Sequence, residues 1–211
     1  MTPFFSIITV SYNSEEFIED AIKSVKTQKE ILDDVIEYIL IDGNSTDGTS
    51  EIIKRYYKLG VIDKYISEPD KGLYDAMNKG IKLAAGKYVG FLNSDDLYLN
   101  KALEHIKLLC EKEMFDICYG NVLIVDRENP SRIIRSYNPG IFRRYKLLLG
   151  WHPPHPGFFA KTELFNTYGV FNLKYKIAAD YDLMIRFLLK SDSIGYVDEY
   201  IVKMRAGGLS T

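Results

Sequence analysis

The sequence predicts one α/β domain with a mostly parallel central sheet and helices on both faces. In the first half, short apolar runs rich in β-branched and aromatic residues alternate with segments of helical apolar spacing. The chain has 211 residues, 46% of them hydrophobic, and this is enough for one well-buried core. Its 27 basic and 29 acidic residues give a net charge of -2, which argues against disorder and against nucleic acid as a partner.

Strands and helices are predicted to alternate through the first half. Residues 4–10 predict the first strand, and apolar residues at helical spacing from Ile18 predict the next helix, with Asn13 and Glu16 as a capping box. The later elements repeat this order, with strands at 38–41, 65–67 and 88–92 and helices around 52–56, 73–84 and 103–110.

The alternation ends after Cys110. The remaining segments are predicted as one or two strands at 116–125, a polar loop at 127–135, a short basic and apolar helix at 143–149, a Pro-rich turn at 151–156, a strand at 157–160, a short helix, and a helix at 180–190. No closing element is predicted after Arg205, an ending typical of a chain truncated at its carboxyl end.

Cysteine content and hydropathy favour a cytoplasmic protein. Cys110 and Cys118 are too few for a disulfide framework or a zinc site, so we expect a reducing compartment. The apolar amino terminus has no preceding basic residue and no cleavage site, and no apolar run approaches the ~18 residues of a spanning helix. Residues 142–149 predict either a core helix with a solvated basic face or a segment that approaches a membrane peripherally.

Polar loops follow three of the predicted strands, beginning at Ser11, Asp42 and Asn93. Because the carboxyl ends of parallel strands meet at one edge, we expect these loops to form a ligand site, although such residues also serve as turn formers and helix caps. The neighbouring carboxylates Asp95 and Asp96 repel one another unless a cation offsets them. Oxygen ligands suit Mg²⁺ or Mn²⁺, which can bridge to a diphosphate.

Spacing excludes two common phosphate-binding motifs. The segment from Gly80 to Lys87 has five residues between its glycines and precedes a strand, so it is not a P-loop. No G-x-G-x-x-G sequence follows the first strand, which argues against a dinucleotide site.

Five motifs stand out along the chain: SIITVSYN at 6–13, IDGNSTDGT at 41–49, DKGLYDAMNKG at 70–80, FLNSDD at 91–96 and AADYDLMIR at 178–186. They occur in the order seen in family 2 glycosyltransferases of GT-A fold, and the sequence resembles the branch that builds bacterial surface polysaccharides such as lipopolysaccharide and capsule. The resemblance implies a Rossmann-like nucleotide-binding fold in a single domain over 1–211, with a nucleotide-sugar half at 1–96 and an acceptor half at 97–211.

The resemblance also implies an inverting, metal-dependent enzyme. Its donor would be a nucleotide diphosphate sugar, most often a UDP-sugar, and its acceptor a hydroxyl of a glycan or of a lipid-linked saccharide. Asp96 would be the direct Mg²⁺ or Mn²⁺ ligand, and Asp95 would contact the donor ribose or sugar. Because the chain has Ser94-Asp95-Asp96 in place of a literal Asp-x-Asp, the division of roles between the two stays open.

Inversion requires a carboxylate near the acceptor hydroxyl, and the resemblance assigns this general base to Asp180. A helix N-cap is the alternative role for Asp180, and Asp182 is expected to pair with Arg186 four residues on. The implied nucleotide site comprises Thr9, Ser11, Tyr12, Asp42, Lys71 and Asn78. For Asn78, tying loop backbone together is an equal alternative, and Tyr74 is expected in the core.

Two other function classes stay open. A sugar-1-phosphate nucleotidyltransferase would use a similar sheet, but it would carry a basic Gly-rich loop after the first strand, which residues 11–14 lack. A non-catalytic binding module would lack a base. The turn at 151–157 either lines the acceptor side or is plain turn structure, because its prolines disfavour a metal site built on His152 and His155.

Overall fold

A mixed sheet with helices on both faces runs through the computed structural model, which describes residues 2–33 and 35–207. The strands are β1 Phe5–Ser11, β2 Ile36–Asp42, β3 Lys64–Ser67, β4 Tyr88–Phe91, β5 Leu97–Tyr98, β6 Ile117–Val125, β7 Ile133–Tyr137, β8 Phe158–Lys161 and β9 Ile194–Arg205. The helices are α1 Ile18–Leu32, α2 Thr49–Lys58, α3 Leu73–Leu83, α4 Ala102–Glu113, α5 Thr162–Tyr168 and α6 Ala179–Lys190, with 3-10 helices at Arg144–Leu149 and His155–Gly157.

The strand order is β3-β2-β1-β4-β8-β6-β9-β5, with β7 added on β6. The first four strands are parallel, as predicted, whereas β8 is antiparallel to both β4 and β6. Ser11 pairs with Asp42, and Asp42 pairs with Ser67, so the ends of β1, β2 and β3 lie level with one another. This register brings the polar loops that follow the strands to one edge of the sheet.

Each face of the sheet has its own hydrophobic core. Successive side chains of β1 alternate between the two, with Phe5 and Ile7 on the face covered by α1 and Ile8 on the face covered by α3 and α6. The Phe5 ring also meets Phe159 of β8 at 5.8 Å. The two cores therefore combine residues from both halves of the sequence.

One local prediction is wrong, and one long strand was not predicted. Helix α1 begins at Ile18 after Phe17 and has no side-chain cap, because Asn13 takes a left-handed backbone (φ 47°) and accepts a hydrogen bond from the loop after β2 instead. The residues before Arg205 form the long strand β9, which pairs with β6 and β5. Its buried and exposed positions do not alternate cleanly, so periodicity does not reveal it.

Within the described residues, no helix combines the length and apolar character needed to cross a membrane. The four residues 208–211, which follow β9 and lie in the stretch where no closing element was predicted, are outside the described part of the chain.

Candidate active site

A cleft of about 1000 Å³ opens at the carboxyl edge of the parallel strands. Its wall comes from the loops after β1, β2 and β4, from the start of α3, and from the last residues of β9. The lining includes Ser11, Tyr12, Asn13, Gly43, Asn44, Thr46, Asp70, Gly72, Asn93, Ser94, Asp95, Asp96, Arg127 and Arg205. The sequence placed three of these loops at one edge, and the structure brings them together there.

Hydrogen bonds fasten the loops of the cleft to one another. The Asn13 backbone N–H donates to Ser45 Oγ at 2.9 Å, and the Thr46 N–H donates to Asn13 Oδ1 at 2.9 Å. Ser14 Oγ lies 2.9 Å from Ser94 Oγ and so connects the loop after β1 to the loop after β4. The wall is therefore formed before any ligand enters.

Asp42 lies behind this wall and is fully buried. Its carboxylate accepts hydrogen bonds from five donors of the same chain: the Ser45 N–H, Ser45 Oγ, Ser11 Oγ, Ser50 Oγ and Ser67 Oγ. The cluster joins the ends of β1, β2 and β3, and a base contact would require Asp42 to exchange one of these partners.

The other predicted residues of β1 divide between cleft and core. Ser11 lines the cleft, and Tyr12 beside it is 64% exposed, so its ring is open to a stacking partner. Thr9 is fully buried, and its Oγ1 accepts a hydrogen bond from Tyr38 Oη at 3.1 Å. The structure thus places Thr9 in the core, because it lies two residues inside the strand end.

Asp96 lines the cleft but is only 1% exposed. Its Oδ2 accepts from Asn93 Nδ2 at 2.9 Å, and its Oδ1 accepts from the Arg205 backbone N–H at 3.1 Å. Burial, followed by the charge of Asp95, raises the pKa of Asp96 to about 8. A positive charge bound next to Asp96 would therefore favour the ionised form of its carboxyl group.

This pair of carboxyl groups fits a divalent cation that also binds a diphosphate. Within the described residues, no group of three or more Asp, Glu, His or Cys side chains is arranged to hold a metal, so Asp95 and Asp96 could supply only part of a coordination shell. A donor diphosphate would supply further oxygens, which is the usual arrangement for Mg²⁺.

Sequence reasoning missed two arginines at this site. Arg127, in the loop after β6, places Nη1 3.5 Å from Asp95 Oδ2, and Arg205, which ends β9, donates from Nη1 to the Asp95 carbonyl at 2.8 Å. The two guanidinium groups lie 4.4 and 4.8 Å from the ring centroid of Phe17. No local pattern could have revealed them, because they are 32 and 110 residues from Asp95.

Asp180 lies half-buried in the first turn of α6 and is not among the residues that line the cleft. Its Oδ1 accepts a hydrogen bond from Tyr74 Oη at 3.0 Å, and the Tyr74 ring stacks on Phe171 at 5.4 Å. Ala178 holds the N-cap position, so the alternative N-cap role of Asp180 is wrong. Asp182 binds Arg186 at 2.8 Å, which confirms the predicted ion pair.

The two predicted residues around α3 differ in position. Asn78 is buried, donates to the Phe171 carbonyl at 2.9 Å and accepts from the Phe171 N–H at 2.9 Å. It therefore holds loop backbone in place, which is the alternative role that the sequence left open. The structure therefore places Asn78 outside the cleft lining. Lys71 is exposed between Asp70 and Gly72, which both line the cleft.

The Pro-rich turn packs beside the start of α6. His152 meets the Tyr181 ring edge-on at 5.3 Å. His155 stacks on Phe91 at 5.4 Å, and its Nε2 is buried without a hydrogen-bond partner. Burial lowers the pKa of His155, while the charge of Asp180 raises it. The turn thus packs against residues next to Asp180.

Comparison with known proteins agrees with this geometry. The sequence profile described as glycosyl transferase family 2 matches residues 6–168. A PGL/p-HBAD biosynthesis glycosyltransferase of Mycobacterium bovis is 35% identical over 190 residues, covering 87% of this chain and 69% of the relative. A putative teichuronic acid biosynthesis glycosyltransferase, TuaG of Bacillus subtilis, is 40% identical over 48% of this chain and 40% of its own length.

Solved structures share the fold. Staphylococcus aureus TarS in complex with UDP-GlcNAc has a TM-score of 0.75 at 21% identity, over 95% of this chain and 58% of that one. A mannosyltransferase from Pyrobaculum calidifontis, in complex with GDP-Man and Mn²⁺, has a TM-score of 0.69 at 18% identity, over 99% and 59%. This chain thus spans a little under three fifths of each solved protein. Family profile, relatives and fold agree that the chain belongs to glycosyltransferase family 2 and has the GT-A fold.

Proposed function

We propose that the protein is an inverting, metal-dependent glycosyltransferase that moves a sugar from a nucleotide diphosphate donor, preferentially a UDP-sugar, to a hydroxyl of a glycan or lipid-linked saccharide. The observation that carries this proposal is the Asp95–Asp96 pair in a preformed cleft at the carboxyl edge of the sheet. The names of the relatives support a role in bacterial surface polysaccharide or glycolipid biosynthesis.

For donor binding, we assign the nucleoside to the wall formed by β1 and β2. The exposed ring of Tyr12 offers a stacking surface, and Ser11 offers a hydroxyl group next to it. Asp42 would accept a hydrogen bond from an N–H of the base after losing the bond from one of its serine donors. Thr9 would contribute indirectly, by supporting the strand through its bond to Tyr38. Lys71, exposed between the cleft residues Asp70 and Gly72, would approach the base or a phosphate.

For metal binding, we assign Asp96 as the direct ligand of Mg²⁺ or Mn²⁺ and Asp95 as the contact to the donor. The cation would act as a Lewis acid on the diphosphate as it leaves. Arg127 is 3.5 Å from Asp95 and lines the cleft, so its charge is placed to offset the leaving diphosphate as well.

For the transfer step, we assign Asp180 as the general base that removes the proton of the acceptor hydroxyl. Attack opposite the leaving diphosphate inverts the anomeric centre. Tyr74 Oη holds the Asp180 carboxylate at 3.0 Å and so fixes its orientation. In this scheme residues 1–96 supply most of the donor site, to which Arg127 and Arg205 are added from the second half, and the remainder of residues 97–211 binds the acceptor.

We place this activity in the cytoplasm. Cys110 and Cys118 are free and buried, with their sulfur atoms 2.8 Å apart, which is compatible with a reducing compartment.

A product assay tests the proposal. The protein would be incubated with UDP- and GDP-sugars, with and without Mn²⁺, and the released nucleotide would be measured. We expect Mn²⁺-dependent release of nucleoside diphosphate and, with a productive acceptor, an inverted anomeric configuration by NMR. Release of pyrophosphate from a nucleoside triphosphate and a sugar phosphate would instead indicate a nucleotidyltransferase, and no turnover would favour a binding module.

A further inference from the structure

Two exposed segments on either side of α6 combine apolar and basic side chains. We call residues 141–149 and 173–177 together the basic-apolar surface. Among the described residues, the three most exposed large hydrophobic side chains all belong to it: Leu148 at 89%, Leu149 at 79% and Ile177 at 72%. Large exposed apolar patches on a protein commonly mark a binding surface.

Both segments adjoin α6. Arg144 donates to Asp192, just beyond the end of α6, at 2.9 Å, and residues 173–177 lead directly into the helix. Tyr175 of the second segment lines a groove of about 550 Å³ along α6, together with Tyr181 and Leu189 of the helix. The basic-apolar surface therefore borders one helix from both of its ends.

The first segment packs on the core but leaves Leu148 and Leu149 exposed. Phe142 and Leu147 pack against the core, and Trp151 follows them there. Leu148 and Leu149 come next to Leu147, at the end of the 3-10 helix, and face solvent. The packing of the core thus does not account for these two residues.

Charge indicates what this surface binds. The two segments contain five basic residues and no acidic one, in a chain whose net charge is -2; these residues are Arg143, Arg144, Lys146, Lys174 and Lys176. A second copy of the chain docked by a twofold axis would bring like charges face to face. An anionic bilayer complements both properties, because lipid phosphates attract the basic groups and the acyl boundary accepts leucine, isoleucine and tyrosine.

We propose that the basic-apolar surface docks the protein on an anionic lipid bilayer. Docking would hold α6, which carries Asp180 in its first turn, next to the lipid headgroups. A lipid-linked acceptor would then reach the enzyme by diffusion within the membrane. This last step rests on the proposed function, whereas the docking itself does not.

Vesicle co-sedimentation tests the docking. We expect the protein to bind vesicles in which about a third of the lipid is phosphatidylglycerol, and to bind pure phosphatidylcholine vesicles at least about tenfold more weakly. Leu148→Ser combined with Leu149→Ser should lower binding about tenfold or more, because the apolar contribution is lost. The matched control combines Leu59→Ser with Leu108→Ser, two leucines that are 68% and 60% exposed elsewhere.

A charge variant provides a second, independent readout. Lys174→Glu combined with Lys176→Glu should remove the preference for anionic vesicles, and raised salt should weaken binding of the parent. Thermal unfolding and titration with UDP in the absence of vesicles should match the parent for every variant.

The proposal is overturned if the parent ignores anionic vesicles, if it binds neutral vesicles equally well, or if the control pair loses as much binding as the Leu148 and Leu149 pair. A concentration-dependent dimer that these two leucines support, without vesicle binding, would assign the surface to a second copy. If the parent fails to bind UDP, the proposed function fails, and the vesicle result stands unaffected.

Discussion

The two sides of the molecule that we assign to the donor and to the acceptor are built in opposite ways. On the donor side, polar side chains at the strand ends bond to one another, as Asp42 does with its five donors. On the acceptor side, the segments around α6 leave leucine, isoleucine and tyrosine side chains facing solvent. The difference teaches that the wall of the proposed donor site is held together by the chain's own hydrogen bonds, whereas the proposed acceptor side leaves apolar side chains uncovered.

The largest expected effect tests whether chemistry belongs to the acceptor side. Asp180→Asn should lower kcat by about 10² to 10⁴-fold, because an amide cannot take the proton of the acceptor hydroxyl. Donor affinity, measured by calorimetry with a UDP-sugar, should stay near that of the parent.

Asp182→Asn is the matched control for this variant. It removes one ion pair with Arg186 on the same helix turn, and activity should be largely retained. A dead Asp182→Asn with an active Asp180→Asn would move the base by two residues, and activity in both would place the base elsewhere in the second half.

The next effect tests the preformed donor side. Asp96→Ala should abolish the Mn²⁺-dependent part of UDP-sugar binding while the fold persists, because the change removes a metal ligand and also a buried carboxyl group next to Asp95. Titration with UDP-sugar in the presence and absence of Mn²⁺ gives the affinity, and thermal unfolding gives the stability. If the Asp96→Ala variant binds UDP-sugar with the same Mn²⁺ dependence as the parent, Asp96 is not a metal ligand.

A third effect concerns the connection between the two sides. Asn78→Ala leaves the buried N–H and carbonyl groups of Phe171 without partners, so the free energy of unfolding should fall by about 2 to 4 kcal/mol. Affinity for UDP should not change, since Asn78 does not line the cleft. Urea denaturation and UDP titration together decide the matter, and weaker UDP binding at unchanged stability would return Asn78 to the donor site.

The smallest effect tests how deep the donor site extends. Thr9→Val keeps the shape of the side chain but removes the acceptor of the Tyr38 hydroxyl, so stability should fall by about 1 kcal/mol. Combining it with Tyr38→Phe should cost less than the two single changes added together, because both remove the same bond. A large drop in UDP affinity for Thr9→Val would show that Thr9 does more than support the strand.

The sequence was most informative where function depends on contiguous residues. The four parallel strands and the loops after three of them were predictable, because each loop follows its strand directly, and parallel strands bring their ends together. Ser11, Tyr12, Asp95 and Asp96 therefore lie at the predicted edge. Thr9 was assigned to the nucleotide site but lies in the core, because a position two residues before the end of a strand is already inside the sheet.

What the sequence could not predict depends on contacts between distant segments. Arg127 reaches Asp95 from the loop after β6 and Arg205 reaches it from the end of β9, and β9 lacks the alternation that would have identified it. The link from Tyr74 to Asp180 joins residues 106 positions apart. Periodicity is local, so pairings of this kind become visible only once the chain is folded.

The contact between Arg205 and the two aspartates also matters during synthesis. The chain has passed every donor-side motif by residue 96, yet the N–H group that holds Asp96 Oδ1 belongs to Arg205 at the end of β9. A nascent chain that has emerged from the ribosome only as far as β8 carries the motifs without the environment that Arg205 completes. The hydrogen-bond partners of Asp96 are therefore complete only once residue 205 has been made.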